Sequence, residues 1–154
     1  MKDKDFINKQ VVSMADGAKV GTVKDLVFNC LDLKALVVQG ERGEGLLAFT
    51  DIGTNGPDAV MIESYTVIDW NAGRVLGPES RNTEDLRKLS VVDADGNLLG
   101  HMHHITMDPK GHVKHIAVRT VGVFGIGANE TLVAGSRVRA IGADMITVEK
   151  SRKG

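Results

Sequence analysis

Short runs of Val, Ile and Leu recur along the chain and are separated by turn-forming residues. Their apolar centres are residues 37–38, 46–47, 60–62, 116–118 and 146–148. Short apolar runs bounded by Gly, Asp and Asn are typical of β-strands. Two Asp-Gly pairs, Asp16-Gly17 and Asp95-Gly96, lie between apolar residues and predict β-hairpins. The chain is therefore expected to be mostly β, with no long helix.

The sequence repeats itself, because residues 7–29 align with residues 86–108 at an offset of 79 (86 − 7). In this alignment Val12 meets Val91, the two Asp-Gly pairs coincide, and Gly21 meets Gly100. A second block aligns residues 56–63 with residues 142–149. The repeat predicts two similar units, 1–72 and 84–154. Residues 73–83, which are rich in Gly, Pro, Asn and Ser, are expected to be the linker.

One segment fits either a helix or a strand when it is taken alone. Val23, Leu26, Val27 and Cys30 follow a helical spacing. The second copy has Asp-Pro-Lys-Gly at residues 108–111, which breaks a helix and suits a turn between strands. The strand interpretation predicts two tandem small antiparallel β-barrels. Units of this size bury little surface alone, so we expect them to pack together with pseudo-twofold symmetry.

Composition narrows the classes of function. The chain carries 19 Lys+Arg and 20 Asp+Glu, and only 4% of its residues are aromatic. A near-neutral chain with few aromatics is unlike a general nucleic-acid binder. It has no apolar run of membrane-spanning length and no apolar stretch at its charged N-terminus, so we expect a cytoplasmic protein without membrane insertion. Its single cysteine, Cys30, excludes an internal disulfide and is expected to be mostly buried and inert.

The pattern of each copy resembles the PRC-barrel family. The elements that carry the resemblance are the Asp-Gly turn, the glycine that follows it, an Asp-x-x-Gly-x-Val segment and a closing apolar block: Asp16-Gly17, Gly21, Asp95-Gly96, Gly100, Asp108 to Val113, and residues 58–62 and 144–148. This family includes the cytoplasmic domain of the photosynthetic reaction-centre H subunit and the C-terminal domain of a ribosome maturation factor. The resemblance implies a small β-barrel that serves as a binding or assembly module, and it brings no catalytic motif.

All five histidines lie between His101 and His115. If residues 108–111 form a four-residue turn, His104 faces His115, and the pair could share a zinc, nickel or copper ion once further ligands join. A bulge would bring His103 round as an alternative ligand. We expect the histidines to be exposed polar residues of a hairpin, with a metal site and a pH-sensitive contact as the alternatives.

No other motif indicates chemistry. The Gly-rich segment around Gly125 is neither a dinucleotide fingerprint nor a P-loop, and no nucleophile, base and acid converge, so we expect neither a cofactor nor an enzyme. Phe124 and Ile126 in that segment could form an apolar tip for a partner.

The first hypothesis for function is a non-enzymatic module that binds a protein partner or self-associates, with its oligomeric state open. The alternatives are a metal- or pH-sensing protein that uses the His101–His115 hairpin, and an RNA-processing or ribosome-assembly accessory. The neutral charge counts against the last of these, because RNA binding normally needs a basic surface.

Overall fold

The computed structural model describes residues 1–71, 80–120 and 129–149 of the chain. It divides into two compact units, Met1–Thr83 and Glu84–Gly154. Phe124 and Ile126, which the sequence suggested as an interaction tip, lie outside the described residues.

Unit 1 is built around one long hairpin whose two strands carry most of the unit's buried hydrophobic residues. Its strands are β1 (Gln10–Ser13), β2 (Lys19–Asn29), β3 (Asp32–Gly40), β4 (Gly43–Ala48), β5 (Ile52–Asn55), β6 (Ala59–Ile62), β7 (Ile68–Asp69) and β8 (Ser80–Asn82). They form a sheet in the order β5-β6-β1-β2-β3-β4-β7, and β8 pairs with β2 off this path. Short 3-10 turns cover Asp3–Asp5, Phe49–Asp51 and Tyr65–Val67.

Unit 2 follows a four-residue helix, α1 (Thr83–Leu86), which spans the boundary between the units. Its strands are β9 (Ser90–Asp93), β10 (Leu98–Met107), β11 (Val113–Thr120), β12 (Asn129–Ala134), β13 (Val138–Ile141) and β14 (Met145–Val148). The sheet order is β12-β11-β10-β9-β14-β13, and a 3-10 turn at Gly135–Arg137 leads from β12 to β13.

The two sheets share one topology, because the order β5-β6-β1-β2-β3-β4 matches β13-β14-β9-β10-β11-β12 strand for strand. The predicted strands are present, and both Asp-Gly pairs lie in the turns of the hairpins β1–β2 and β9–β10. Gly17 and Gly96 have φ values of 69° and 81°, which a residue with a side chain rarely adopts. The mostly β, repeated architecture is thus confirmed.

The prediction of closed, purely antiparallel barrels is wrong in two respects. Over the described residues neither sheet closes on itself, since one ends at β5 and β7 and the other at β12 and β13. Each sheet also contains a parallel pair, β1 with β6 and β9 with β14. The chain turns away from the sheet after β4 and after β12 through a 3-10 turn, and it returns beside the first strand in the parallel direction.

The offset of 79 holds in β2 and β10 but not in β1 and β9. Val11 pairs with Gly21 and Val60, whereas Val91 pairs with Gly100 and Ile146, so Val11 takes the place of Val91. The sequence alignment had matched Val12 with Val91. The first hairpin has five residues between its strands and the second has four, and this extra residue shifts the register by one.

Part of the segment expected to be linker is structured. Ser80–Asn82 forms β8, which pairs with β2, and unit 1 extends to Thr83. Cys30 is another departure from expectation, because it is exposed at the turn between β2 and β3, with φ at 51°. Among the described residues, no helix combines the length and the apolar character needed to cross a bilayer.

A β-bulge lies at the equivalent position of both units, and the one in unit 2 shapes the site described below. In β2 the register with β3 shifts between Val23 and Asp25, and in β10 the register with β11 shifts between Met102 and His104. Each shift leaves one residue, Lys24 or His103, without a partner opposite. The bulge is therefore a feature of the fold and not of one sequence.

Candidate functional site

The register of β10 and β11 overturns the predicted histidine pair. His115 lies opposite Thr106, and His104 lies opposite Ala117, so His104 and His115 do not face each other. The expected four-residue turn would also have placed Met107 opposite His112, but Met107 pairs with Val113. A regular hairpin was assumed, whereas the ladder shifts twice along its length.

The bulge instead brings His103 beside His104. The centroids of the two imidazole rings are 3.9 Å apart, and Nδ1 of His103 lies 3.3 Å from Oε2 of Glu130 on β12. One ligand atom from each of His103, His104 and Glu130 lies within 4.8 Å of the others. His115, the second histidine of the predicted pair, is not part of this group.

Two arginines flank His103. Nη1 of Arg119 lies 3.4 Å from His103 Nε2, and Nε of Arg87 donates a hydrogen bond to the His103 carbonyl oxygen at 3.2 Å. Because a guanidinium only donates, Nε2 accepts, and Nδ1 carries the proton that it donates to Glu130. Burial lowers the pKa of His103, and the neighbouring His104 lowers it further, so both effects favour the neutral imidazole.

The same sheet face has a different character in the two units. In unit 1 the face carries residues that are all buried, and four of them form an apolar cluster: Asp25, Val27, Ala35, Val37 and Leu46. The equivalent positions in unit 2, which we call the unit 2 face, are His104, Thr106, His115, Ala117 and Leu132. Leu46 is 4% exposed, whereas Leu132 is 60% exposed.

A recess in unit 1 is a second feature, and sequence reasoning missed it. It has a volume of about 640 Å³, and Trp70, Tyr65, Lys19 and Arg42 are among the residues that line it. The indole ring of Trp70 lies over Gly40 and Gly45. A Cβ atom at either glycine would come within 2.7 Å of this ring. The 3-10 turn and β7 that supply Tyr65 and precede Trp70 have no equivalent in the described part of unit 2. No local sequence pattern indicated this recess, because Trp70 lies 25 residues from Gly45 and 30 from Gly40 along the chain.

These features define the class of protein: a tandem repeat of one β-sheet topology, with a buried and mostly apolar face in one copy and a more polar, partly exposed face in the other. The family model for the PRC-barrel domain matches the chain twice, over residues 1–77 and 78–153. The chain therefore belongs to the PRC-barrel family, as a tandem member, and the resemblance drawn from its sequence is confirmed. No curated protein matches the sequence.

Proposed function

We propose that the protein is a small non-enzymatic binding and assembly module, which engages a protein partner or a second copy through the unit 2 face. The observation that carries the proposal is the contrast between the repeats. Both units have this face, and unit 1 buries all five of its positions. In unit 2 only Ala117 is buried, whereas His104 and Thr106 are half-buried and His115 and Leu132 are exposed. The membership of the PRC-barrel family supports an interaction module.

The chemistry of the unit 2 face suits a protein interface. Leu132 is a large exposed apolar residue, and Ala117 beside it in the register is nearly buried. Polar and charged groups lie around them, among them His115, Arg119 and Glu130. Protein interfaces combine an apolar centre with a polar rim, and a leucine so exposed gains most from being covered.

A charge placed at the centre of this face should abolish binding. Leu132→Glu is expected to weaken self-association or partner capture by roughly tenfold or more, because the carboxylate would have to be desolvated in the interface. Sedimentation velocity measures self-association, and capture on the immobilised full chain measures partner binding. Leu98→Glu is the matched control, since Leu98 is 63% exposed and lies outside this face.

Three results distinguish the hypotheses for function. Loss of binding in Leu132→Glu but not in Leu98→Glu supports the proposal. Equal behaviour of the two variants contradicts it. Recovery of ribosomal proteins by the wild type would favour the RNA-processing or ribosome-assembly alternative. The pseudo-twofold packing of the units and the cytoplasmic location stay predictions.

A further inference from the structure

We infer that His103, His104 and Glu130 form a three-ligand site for a divalent transition-metal ion, with Zn²⁺ as the fitting member of that class. The site lies at the edge of the unit 2 face. It goes beyond the proposed function, because an ion would bind there whether or not a partner covers Leu132.

The distances suit an ion of this size. Zinc binds imidazole nitrogen at about 2.0–2.1 Å and carboxylate oxygen at about 2.0–2.2 Å, so neighbouring ligand atoms of a tetrahedral site are about 3.3 Å apart. Nδ1 of His103 and Oε2 of Glu130 are 3.3 Å apart, and the third ligand atom, from His104, is within 4.8 Å of both. Small side-chain rotations close the remaining gap, because His103 and Glu130 are both partly exposed.

The bulge is what makes two neighbouring residues act together. Consecutive residues of a regular strand point to opposite faces of the sheet, so His103 and His104 could not share an ion there. The register shift at His103 removes that alternation, and the two rings lie 3.9 Å apart. The third strand, β12, then supplies Glu130 directly opposite Arg119 of β11. The site thus draws its ligands from β10 and β12, and it depends on β11, which lies between them.

The donor set selects the class of ion. Two imidazoles and one carboxylate suit zinc, cobalt and nickel, whereas magnesium and calcium prefer oxygen ligands alone. Three protein ligands leave a fourth position open for water or for a donor group from a bound molecule. Ligation through Nδ1 requires the tautomer of His103 in which Nε2 carries the proton, and that nitrogen then no longer accepts from Arg119. Arg119 therefore opposes the ion, because its guanidinium lies 3.4 Å from His103 Nε2, but its side chain is exposed and can turn towards solvent.

Calorimetric titration of the full chain with ZnCl₂, without an added histidine tag, tests the site. We expect one ion per chain in the wild type. His103→Ala and Glu130→Gln should each weaken binding by more than about tenfold, because even a group that only orients a ligand contributes about 10- to 100-fold. Arg119→Gln should tighten binding, since it removes the opposing charge. His112→Ala, a histidine of the same hairpin outside the group, should leave binding unchanged.

Co²⁺ provides an independent readout, because a tetrahedral site with these ligands gives strong visible absorption. Glu130→Gln is isosteric and exposed, so it keeps the test valid should His103→Ala lower the melting temperature. Absence of binding in the wild type overturns the inference. Binding that survives both His103→Ala and Glu130→Gln, or that His112→Ala weakens equally, overturns it as well. A loss caused by His115→Ala and not by Glu130→Gln would restore the pair expected from the sequence.

Discussion

Replacing Gly100 by alanine is expected to destabilise unit 2 by about 3 kcal/mol or more. Gly100 has φ at 138°, a backbone conformation that residues with side chains rarely adopt. A Cβ atom at this position would overlap the carbonyl oxygen of Arg119 and press against Val118 of the neighbouring strand. Backbone atoms cannot move aside as a flexible side chain can, so β10 and β11 would have to separate.

Two further alanine substitutions make this prediction specific. Gly21 is the equivalent glycine of unit 1, where a Cβ atom would lie 2.5 Å from the carbonyl oxygen of Gln39, so Gly21→Ala should also destabilise its unit. Gly56→Ala is the control, because its Cβ atom would meet only the Ala59 carbonyl oxygen, at 3.4 Å.

Urea unfolding followed by far-UV circular dichroism measures all three variants. Fluorescence of Trp70, the single tryptophan, reports on unit 1 and separates Gly21→Ala from Gly100→Ala. If Gly100→Ala unfolds at the same urea concentration as Gly56→Ala, the close approach of the two strands does not require glycine at position 100.

The repeat, the hairpins and the strands could be predicted because each rests on local pattern. An Asp-Gly pair fixes a turn through the backbone freedom of glycine, and apolar runs fix the strands that flank it. Agreement between two copies then removed the ambiguity over Val23 and Leu26, which one copy alone left open. The parallel pairs β1–β6 and β9–β14 could not be predicted, since no short motif records which strands meet after a long connection.

The expected facing of His104 and His115 assumed a regular hairpin, and the register of β10 with β11 departs from one. In a regular strand, core residues are two or four apart, but Val23 and Leu26, like Met102 and Ile105, are three apart and all buried. A spacing of three within a strand indicates an extra residue. The sequence therefore carried a signal of the bulge in both copies, at Lys24 and at His103. The same spacing resembles one turn of a helix, so the segment fits either a helix or a strand when it is taken alone. Glu130 and Arg119 had no local signal, because they reach the site from two further strands.

The two units carry different residues at the position that follows the bulge. Asp25 of β2 and His104 of β10 follow the bulge in their respective strands and pair with Val37 and Ala117. In unit 1 the face around this position is closed, and the aspartate there makes hydrogen bonds within the unit. In unit 2 the position holds His104, a half-buried histidine with charged groups nearby. The two units therefore differ at this position in both burial and chemistry.

Asp25→Ala is expected to destabilise unit 1 by about 3 kcal/mol, because it leaves buried backbone donors without an acceptor. Asp25 is 4% exposed, and its Oδ1 accepts hydrogen bonds from Leu26 N at 2.8 Å and Thr83 N at 3.1 Å. The Thr83 hydroxyl in turn donates to the Leu26 carbonyl oxygen at 3.3 Å. This network holds Thr83, the last residue of the segment expected to be linker, against β2. Its loss should therefore also release β8, which pairs with β2 just before Thr83.

Burial, and not the hydrogen bonds alone, decides the size of this effect. Asp108 offers a matched comparison, since its Oδ1 also accepts from two backbone groups, Lys110 N and His112 N, but it lies at an exposed turn. In Asp108→Ala water can replace the lost acceptor, and the loss of stability should be far smaller. Asp25→Asn keeps one acceptor oxygen and should cost about 1 kcal/mol. In urea unfolding followed by Trp70 fluorescence, Asp25→Ala should therefore be less stable than Asp25→Asn. Circular dichroism should show Asp108→Ala with a stability close to that of the wild type. Equal losses in Asp25→Ala and Asp108→Ala would show that Asp25 faces water, and that β8 is held to β2 by its strand pairing alone.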